Sequence, residues 1–162
     1  ANLPYYITSP VIMRLLEERL PIRALTVMVQ KEAAQRLCAL PGTRACGAVS
    51  IAVQYYAVPR VLFQVSRGSF LPPPNVDSTV IRMDVREHPP VTVSNETHFF
   101  ALVKAAFGQR RKTILNAVSA GLSLPKERVA QACVQAGILQ TARAEQLTME
   151  QMAALCSALD LK

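Results

Sequence analysis

The chain has 162 residues, 51% of them apolar, and carries a formal net charge of +7 from 18 Lys/Arg against 11 Asp/Glu. That length allows one domain, or a small domain plus part of another, with a real core, and the longest apolar run is far too short for a membrane span. A basic balance, with a pI of about 9.6, favours nucleic acid or other anionic partners and disfavours basic ones. Cys38, Cys46, Cys133 and Cys156 are widely spaced with no Cys-x-x-Cys pair, and His88 and His98 stand alone. This pattern argues against a zinc site and fits reduced thiols in a cytoplasmic protein.

The chain opens with Asn2-Leu3-Pro4-Tyr5-Tyr6. Pro4 fixes its own φ and pushes Leu3 towards an extended backbone. Main-chain carbonyls near Leu3 and Pro4 are therefore expected to stay outside a helix and remain available as acceptors. The Asn2 amide adds an acceptor and a donor, and Tyr5 adds a flat ring. Such a set suits a planar ligand with an exocyclic amine, such as adenine; it equally describes a strand end, a proline turn and two packed aromatics. There is no initiator Met and no signal peptide before this stretch, so the chain is expected to be truncated.

Ser9-Pro10 is a helix start, with Ser as N-cap and Pro at the first position. Val11, Ile12, Leu15 and Leu16 then recur at helical spacing up to Pro21. Residues 25–30 read as a short buried strand of the parallel type. Residues 31–40 form an amphipathic helix closed by Pro41-Gly42. Residues 47–57 form a third helix, with a strand as rival because Val49, Ile51 and Val53 alternate. Tyr55 and Tyr56 pack in that helix. Residues 61–66 and 78–86 are antiparallel strands, and Pro72-Pro73-Pro74, which cannot donate to a ladder, is the loop between them. The six glycines contain no Gly-x-Gly turn of the kind that cradles a nucleotide in a doubly wound sheet.

Pro89-Pro90 and the polar residues 92–97 make a linker, and everything beyond reads helical. Phe99, Phe100, Val103 and Phe107 line one face, closed by Gly108 as a C-cap. Ile114, Leu115 and Val118 line the next helix, ended by Gly121. Pro125 opens a helix bearing Val129, Ala132 and Cys133, ended by Gly137. Thr148-Met149-Glu150-Gln151 is a capping box for a last helix with Met152, Leu155 and Leu159. Between the first two of these four helices lies Gln109-Arg110-Arg111-Lys112. Cations at a helix start oppose its dipole unless an anion supplies the missing charge. With Lys104, Lys126 and Arg128 nearby in sequence, this end of the bundle is expected to grip RNA phosphates. Arg14, Arg36 and Arg67 are candidates to extend the patch.

Three stretches carry a family resemblance, in order along the chain. Asn2-Leu3-Pro4-Tyr5 resembles the fourth motif of adenine-N6 methyltransferases. The run from Gly68 through Phe70, Pro72-Pro73-Pro74, Val76 and Ser78 resembles the Phe-x-Pro-x-Pro-x-Val-x-Ser segment of rRNA adenine dimethyltransferases. Phe107-Gly108-Gln109-Arg110-Arg111-Lys112-Thr113 resembles the start of the C-terminal domain in their small-subunit, KsgA-type branch. The resemblance runs end to end and covers the C-terminal portion of such an enzyme. It implies an α/β fold: residues 1–90 as the second half of a class I, Rossmann-like methyltransferase sheet, and residues 91–162 as a small all-α RNA-binding domain.

By the same resemblance the parent enzyme uses S-adenosylmethionine to dimethylate N6 of two adjacent adenines in a hairpin near the 3′ end of small-subunit rRNA. It acts within a pre-ribosomal 30S particle, as a cytoplasmic monomer, with no metal and no membrane. Asn2, Leu3, Pro4 and Tyr5 are then the catalytic stretch, and Asn2 touches the edge of the cofactor site. Tyr5 and Phe70 stack on the target adenine; Gln109, Arg110, Arg111, Lys112 and Lys104 bind RNA. Tyr6 is expected to pack. With the cofactor loop absent, the chain by itself is expected to be inactive. The rivals are a non-catalytic basic RNA-binding module, the large-subunit methyltransferase of macrolide resistance, and a mitochondrial transcription-factor relative.

Overall fold

A computed structural model describes residues 1–161, which divide into two compact units. The first comprises residues 1–39 and 52–89, and the second residues 40–51 and 90–161.

The first unit is built on a three-stranded sheet of β1 (Ala24–Gln30), β2 (Ala57–Val65) and β3 (Ser78–Val85), in the order β1-β3-β2. Both pairings are antiparallel, with Gln30 and Val65 each opposite Ser78. The parallel character expected of residues 25–30 survives on one side only, where Asn2 forms a parallel bridge to Met28. Alternation decides the faces: Val27, Val29, Ile81 and Met83 are buried. Helices α1 (Thr8–Glu17) and α2 (Lys31–Leu37) belong to this unit and bury Ile12, Leu16, Ala34 and Leu37.

Strand β2 lies at the sheet edge and exposes Val58, Val61, Leu62 and Phe63. Pro59, Arg60 and a bulge between Val61 and Phe63 interrupt that edge, which blunts it against pairing with another chain. The strand starts four residues earlier than its β-branched run indicates. It follows directly on helix α3 (Ala48–Tyr56), where the helix reading prevails over the strand rival.

Helix α1 begins at Thr8, one residue before the expected Ser9 cap, and Ile7 provides no side-chain cap. The turn through Tyr5 and Tyr6 leads straight into it. Pro10 is then the third helical residue, still within the first turn, where a missing N–H breaks no intrahelical bond. Helix α2 stops at Leu37, three residues early, and Gly42 takes φ +83 in the following turn.

The second unit holds α4 (Glu96–Phe107), α5 (Ile114–Gly121), α6 (Lys126–Gln135) and α7 (Met149–Leu159). Its core is Phe99, Leu102, Ile114, Val118, Val129, Met152, Leu155 and Leu159, all at most 2% exposed. The Thr148–Gln151 capping box forms as the sequence dictates. Gly121 is required by proximity: a Cβ there would stand 2.6 Å from the Ala105 Cβ, so α4 and α5 meet only because it is absent. Gly108 is the C-cap of α4 as expected, in right-handed conformation (φ −64). Burial pushes the Cys46 thiol up to about 11 and raises those of Cys38, Cys133 and Cys156, so none is an activated nucleophile.

Candidate active site and basic turn

A cleft of about 320 Å³ in the first unit is lined by Asn2, Leu3, Pro4, Tyr5, Phe70, Pro72 and Pro74. The two sequence motifs that supply these residues are separated by more than sixty positions; the sheet joins them. On one side, Leu3 N–H donates to the Met28 carbonyl (3.3 Å) and Met28 N–H to the Ala1 carbonyl (2.9 Å), stitching the first motif alongside β1. On the other, Ser78 at the start of β3 ends the proline loop, and its Oγ shares a 3.0 Å hydrogen bond with the Tyr5 hydroxyl. Ser78 is fully buried, so this bond fixes the Tyr5 ring from inside the fold.

Phe70 is set by a second device. The Ser66 hydroxyl caps a short 3-10 turn over Arg67–Ser69, and Phe70 N–H donates to the Arg67 carbonyl (3.3 Å). Arg67 clamps the loop base: its N–H and Nε donate to Asp77 Oδ1 at 3.0 and 3.2 Å, and its Nη1 to the Asn75 carbonyl at 2.8 Å. The Asp77 carbonyl accepts from Lys31 N–H (3.0 Å), tying the same residue to α2. Hydrogen bonds from the Arg67 backbone and side chain hold the Asp77 carboxyl below its ordinary value. The Leu71–Pro72 peptide within the loop is cis. Sequence reasoning passed over this clamp; its only trace is one arginine and one aspartate bracketing the triple proline.

The free acceptors are fewer than the proline argument indicates. The Pro4 carbonyl already accepts from Ile7 N–H (3.2 Å) and the Thr8 hydroxyl (3.3 Å), because it serves the turn into α1. Among the described residues, the Asn2 side chain and the Leu3 carbonyl make no hydrogen bond. Tyr5 and Phe70 line the one cleft without any ring–ring contact. The arrangement is a slot with aromatic walls and two unengaged acceptors. Tyr6, expected to pack, is 86% exposed instead, since the turn that buries the Tyr5 hydroxyl directs its neighbour to water.

In the second unit, Gln109, Arg110, Arg111 and Lys112 occupy the α4–α5 turn, and all four are exposed, as is Lys104 on α4. The Thr113 hydroxyl caps α5 by accepting from Asn116 N–H (3.4 Å). Arg110, Arg111, Lys112 and Lys104 form no ion pair or side-chain hydrogen bond among the described residues. Four other cations singled out in the sequence are engaged. Arg128 donates to the Leu159 carbonyl (2.5 Å) and closes the C-terminus of α7, where a cation is favoured. Arg14, Arg36 and Arg67 pair with Glu18, Glu32 and Asp77. No described helix is long and apolar enough to cross a membrane.

The family model described as "Ribosomal RNA adenine dimethylase" matches residues 1–161. The chain belongs to the ribosomal RNA adenine dimethylase family. Among its relatives are proteins named "Ribosomal RNA small subunit methyltransferase A". That of Alkaliphilus oremlandii is 50% identical over 163 residues, covering 100% of this chain and 57% of the relative. That of Geobacillus sp. (strain WCH70) is 51% identical, covering 98% and 56%, and that of Clostridioides difficile is 46% identical, covering 100% and 56%. The chain thus spans a little over half the length of these curated relatives. Of solved structures, a dimethyladenosine transferase from Plasmodium falciparum is similar at a TM-score of 0.75 and 25% identity, over 96% of this chain and 63% of that one. The 23S rRNA methyltransferase ErmE shares the fold at a TM-score of 0.69 and 24% identity, over 99% of this chain and 64% of that one. Like them, this family member is a mixed α/β protein, here with a small antiparallel sheet and seven α-helices among the described residues.

Proposed function

We propose that the chain is the target-base half of an S-adenosylmethionine-dependent rRNA adenine-N6 dimethyltransferase that acts on adjacent adenines near the 3′ end of small-subunit rRNA. The observation that carries this reading is the slot: the unengaged Asn2 amide and Leu3 carbonyl at the foot of a cleft walled by Tyr5 and Phe70. An adenine taken out of its stack presents two ring faces and an exocyclic amine. Tyr5 and Phe70 suit the faces, and Asn2 Oδ1 with the Leu3 carbonyl suits the N6 hydrogens. Accepting from those hydrogens draws the nitrogen lone pair out of ring conjugation, and holding the base fixed aims it.

S-adenosylmethionine, when bound, supplies an electrophilic methyl group. The residues here fit only the edge of such a site: Asn2 offers an amide, and none of the six glycines forms a Gly-x-Gly turn. The methylated nitrogen sheds its proton to water, so this reading assigns no general base, and the cleft lining holds no His, Asp, Glu or Lys. Residues 1–90 serve in this reading as the second half of a Rossmann-like catalytic domain, and residues 91–162 as the RNA-binding domain.

The exposed turn Gln109 to Lys112, whose cations have no ion pair among the described residues, supports RNA binding by the chain alone; in this reading the protein acts on a pre-ribosomal 30S particle as a cytoplasmic monomer. The names and the roughly 50% identity of the curated relatives favour small-subunit over large-subunit RNA as substrate. The test is calorimetric titration of S-adenosylmethionine into this chain and into a longer form of the protein, paired with methylation of unmodified 30S particles. The expected result is no cofactor binding by the 162-residue chain, binding by the longer form, and dimethyladenosine only with the latter. A longer form that binds 30S particles without methylating them would replace this reading with a non-catalytic RNA-binding module.

A further inference from the structure

Resting on the proposed reading of the slot, we propose that Tyr6 is a second base platform, outside the slot, which stacks on the nucleotide next to the target adenine. Both walls of the cleft continue into an apolar side chain left in water. Tyr6 follows Tyr5 and is 86% exposed; Leu71 follows Phe70 and is 97% exposed. The two wall rings themselves are partly covered, with Tyr5 at 38%. Exposed large apolar groups scattered singly carry no message, but these two each follow directly in the chain on a residue that walls the same cleft.

The chemistry of this pair suits a nucleobase, not a phosphate. Its two residues carry no charge, while a Tyr ring offers a π-face that any base can meet. Tyr6 is also held for the task. It lies in the turn whose Pro4 carbonyl accepts from Ile7 N–H at 3.2 Å, and its neighbour Tyr5 is bonded to buried Ser78 at 3.0 Å. The ring therefore projects from a backbone fixed on both sides, and little order is lost on stacking. A strand with one base in the slot brings the adjacent base within one nucleotide of the mouth, where Tyr6 meets it.

The experiment uses a hairpin RNA with two adjacent loop adenines and 2-aminopurine at the nucleotide beside the target, titrated with this chain and its variants. Stacking on Tyr6 quenches the 2-aminopurine fluorescence. The Tyr6→Ala variant, at an exposed position that does not bear on folding, loses that quench and binds roughly five- to hundredfold more weakly, whereas Tyr6→Phe keeps both. Wild-type quench and affinity in Tyr6→Ala overturn the proposal. If Tyr5→Ala and Phe70→Ala weaken binding while Tyr6→Ala does not, the slot stands and the platform alone is lost. Failure of the wild-type chain to bind the hairpin at all overturns both.

Discussion

The slot and the basic turn hold the residues to which function is assigned, and they are built in opposite ways. Every wall of the slot is fixed: Tyr5 by Ser78, Phe70 by the Arg67–Asp77 clamp, the first motif by its ladder to Met28. The turn at Gln109 to Lys112 has exposed side chains without ion pairs among the described residues. Recognition of one base edge needs acceptors held to fractions of an ångström, since in-line transfer depends on position. Binding a polyanion needs only charge free to follow it, and a cation already paired with a carboxylate has less to give. The neighbouring arginines show the contrast: once Arg14, Arg36 and Arg67 are paired with acids they belong to the scaffold.

The sharpest break is at Asn2. In the longer, cofactor-competent protein, Asn2→Ala is expected to lower methylation by about a hundredfold or more, the scale on which loss of one positioned polar group acts. RNA affinity should stay within twofold or so, because the charges of the turn are untouched. Methyl transfer and filter binding measured on one preparation decide it; unimpaired turnover removes Asn2 from the reaction.

Replacing Arg110, Arg111 and Lys112 together with Ala tests the other side. Affinity for RNA should fall, and the slope of log affinity against log salt should flatten by about 2, at ~0.7 per lost phosphate contact on single-stranded RNA. Thermal stability should hardly change, since none of the three side chains has a partner among the described residues. An unchanged slope means that the turn is only a solvated face.

A finer cut separates the Tyr5 ring from its hydroxyl. Tyr5→Phe keeps the stacking face but leaves the buried Ser78 hydroxyl without its bond, at a cost of about 1 kcal/mol. Methylation should drop several-fold at most, far less than for Tyr5→Ala, and Ser78→Ala should match it. If Tyr5→Phe is as damaging as Tyr5→Ala, the hydroxyl has a role beyond holding the ring.

The smallest effect concerns pH. The folded state lowers the Asp77 pKa, so the clamp's contribution is fully present above the ordinary carboxylate value of about 4. It is lost as pH falls through the lowered folded value. The Arg67 amide proton resonance, which reports the hydrogen bond to Asp77, should therefore hold its position down through pH 4 and move only below it. In Asp77→Asn that titration should vanish. A shift centred at the ordinary value or above contradicts the clamp.

Several of these features were legible before any fold was drawn. The Asn-Leu-Pro-Tyr and Phe-x-Pro-x-Pro stretches, the Thr148 capping box and the apolar stripes of α4 to α7 are local patterns, readable because caps, prolines and helical periodicity act over three or four residues. What local pattern left open is set at a distance. Pro4 was a candidate acceptor by its ring, but its carbonyl is consumed by the turn into α1, a choice made by Ile7 and Thr8. Tyr6 reads like Tyr5 in sequence, and only the bond from Tyr5 to Ser78, seventy-three residues away, sends one inward and the other to solvent. Gly121 looks like a helix terminator and does end α5, but it is also the point where Ala105 presses on that helix. Charge alone could not separate Arg110 from Arg67, because pairing depends on which carboxylate the fold brings near. Sequence by itself determined which chemical groups are present and where helices and strands run; the tertiary structure decided which of those groups remain unengaged, since a hydrogen bond or ion pair made within the fold removes its partners from the site.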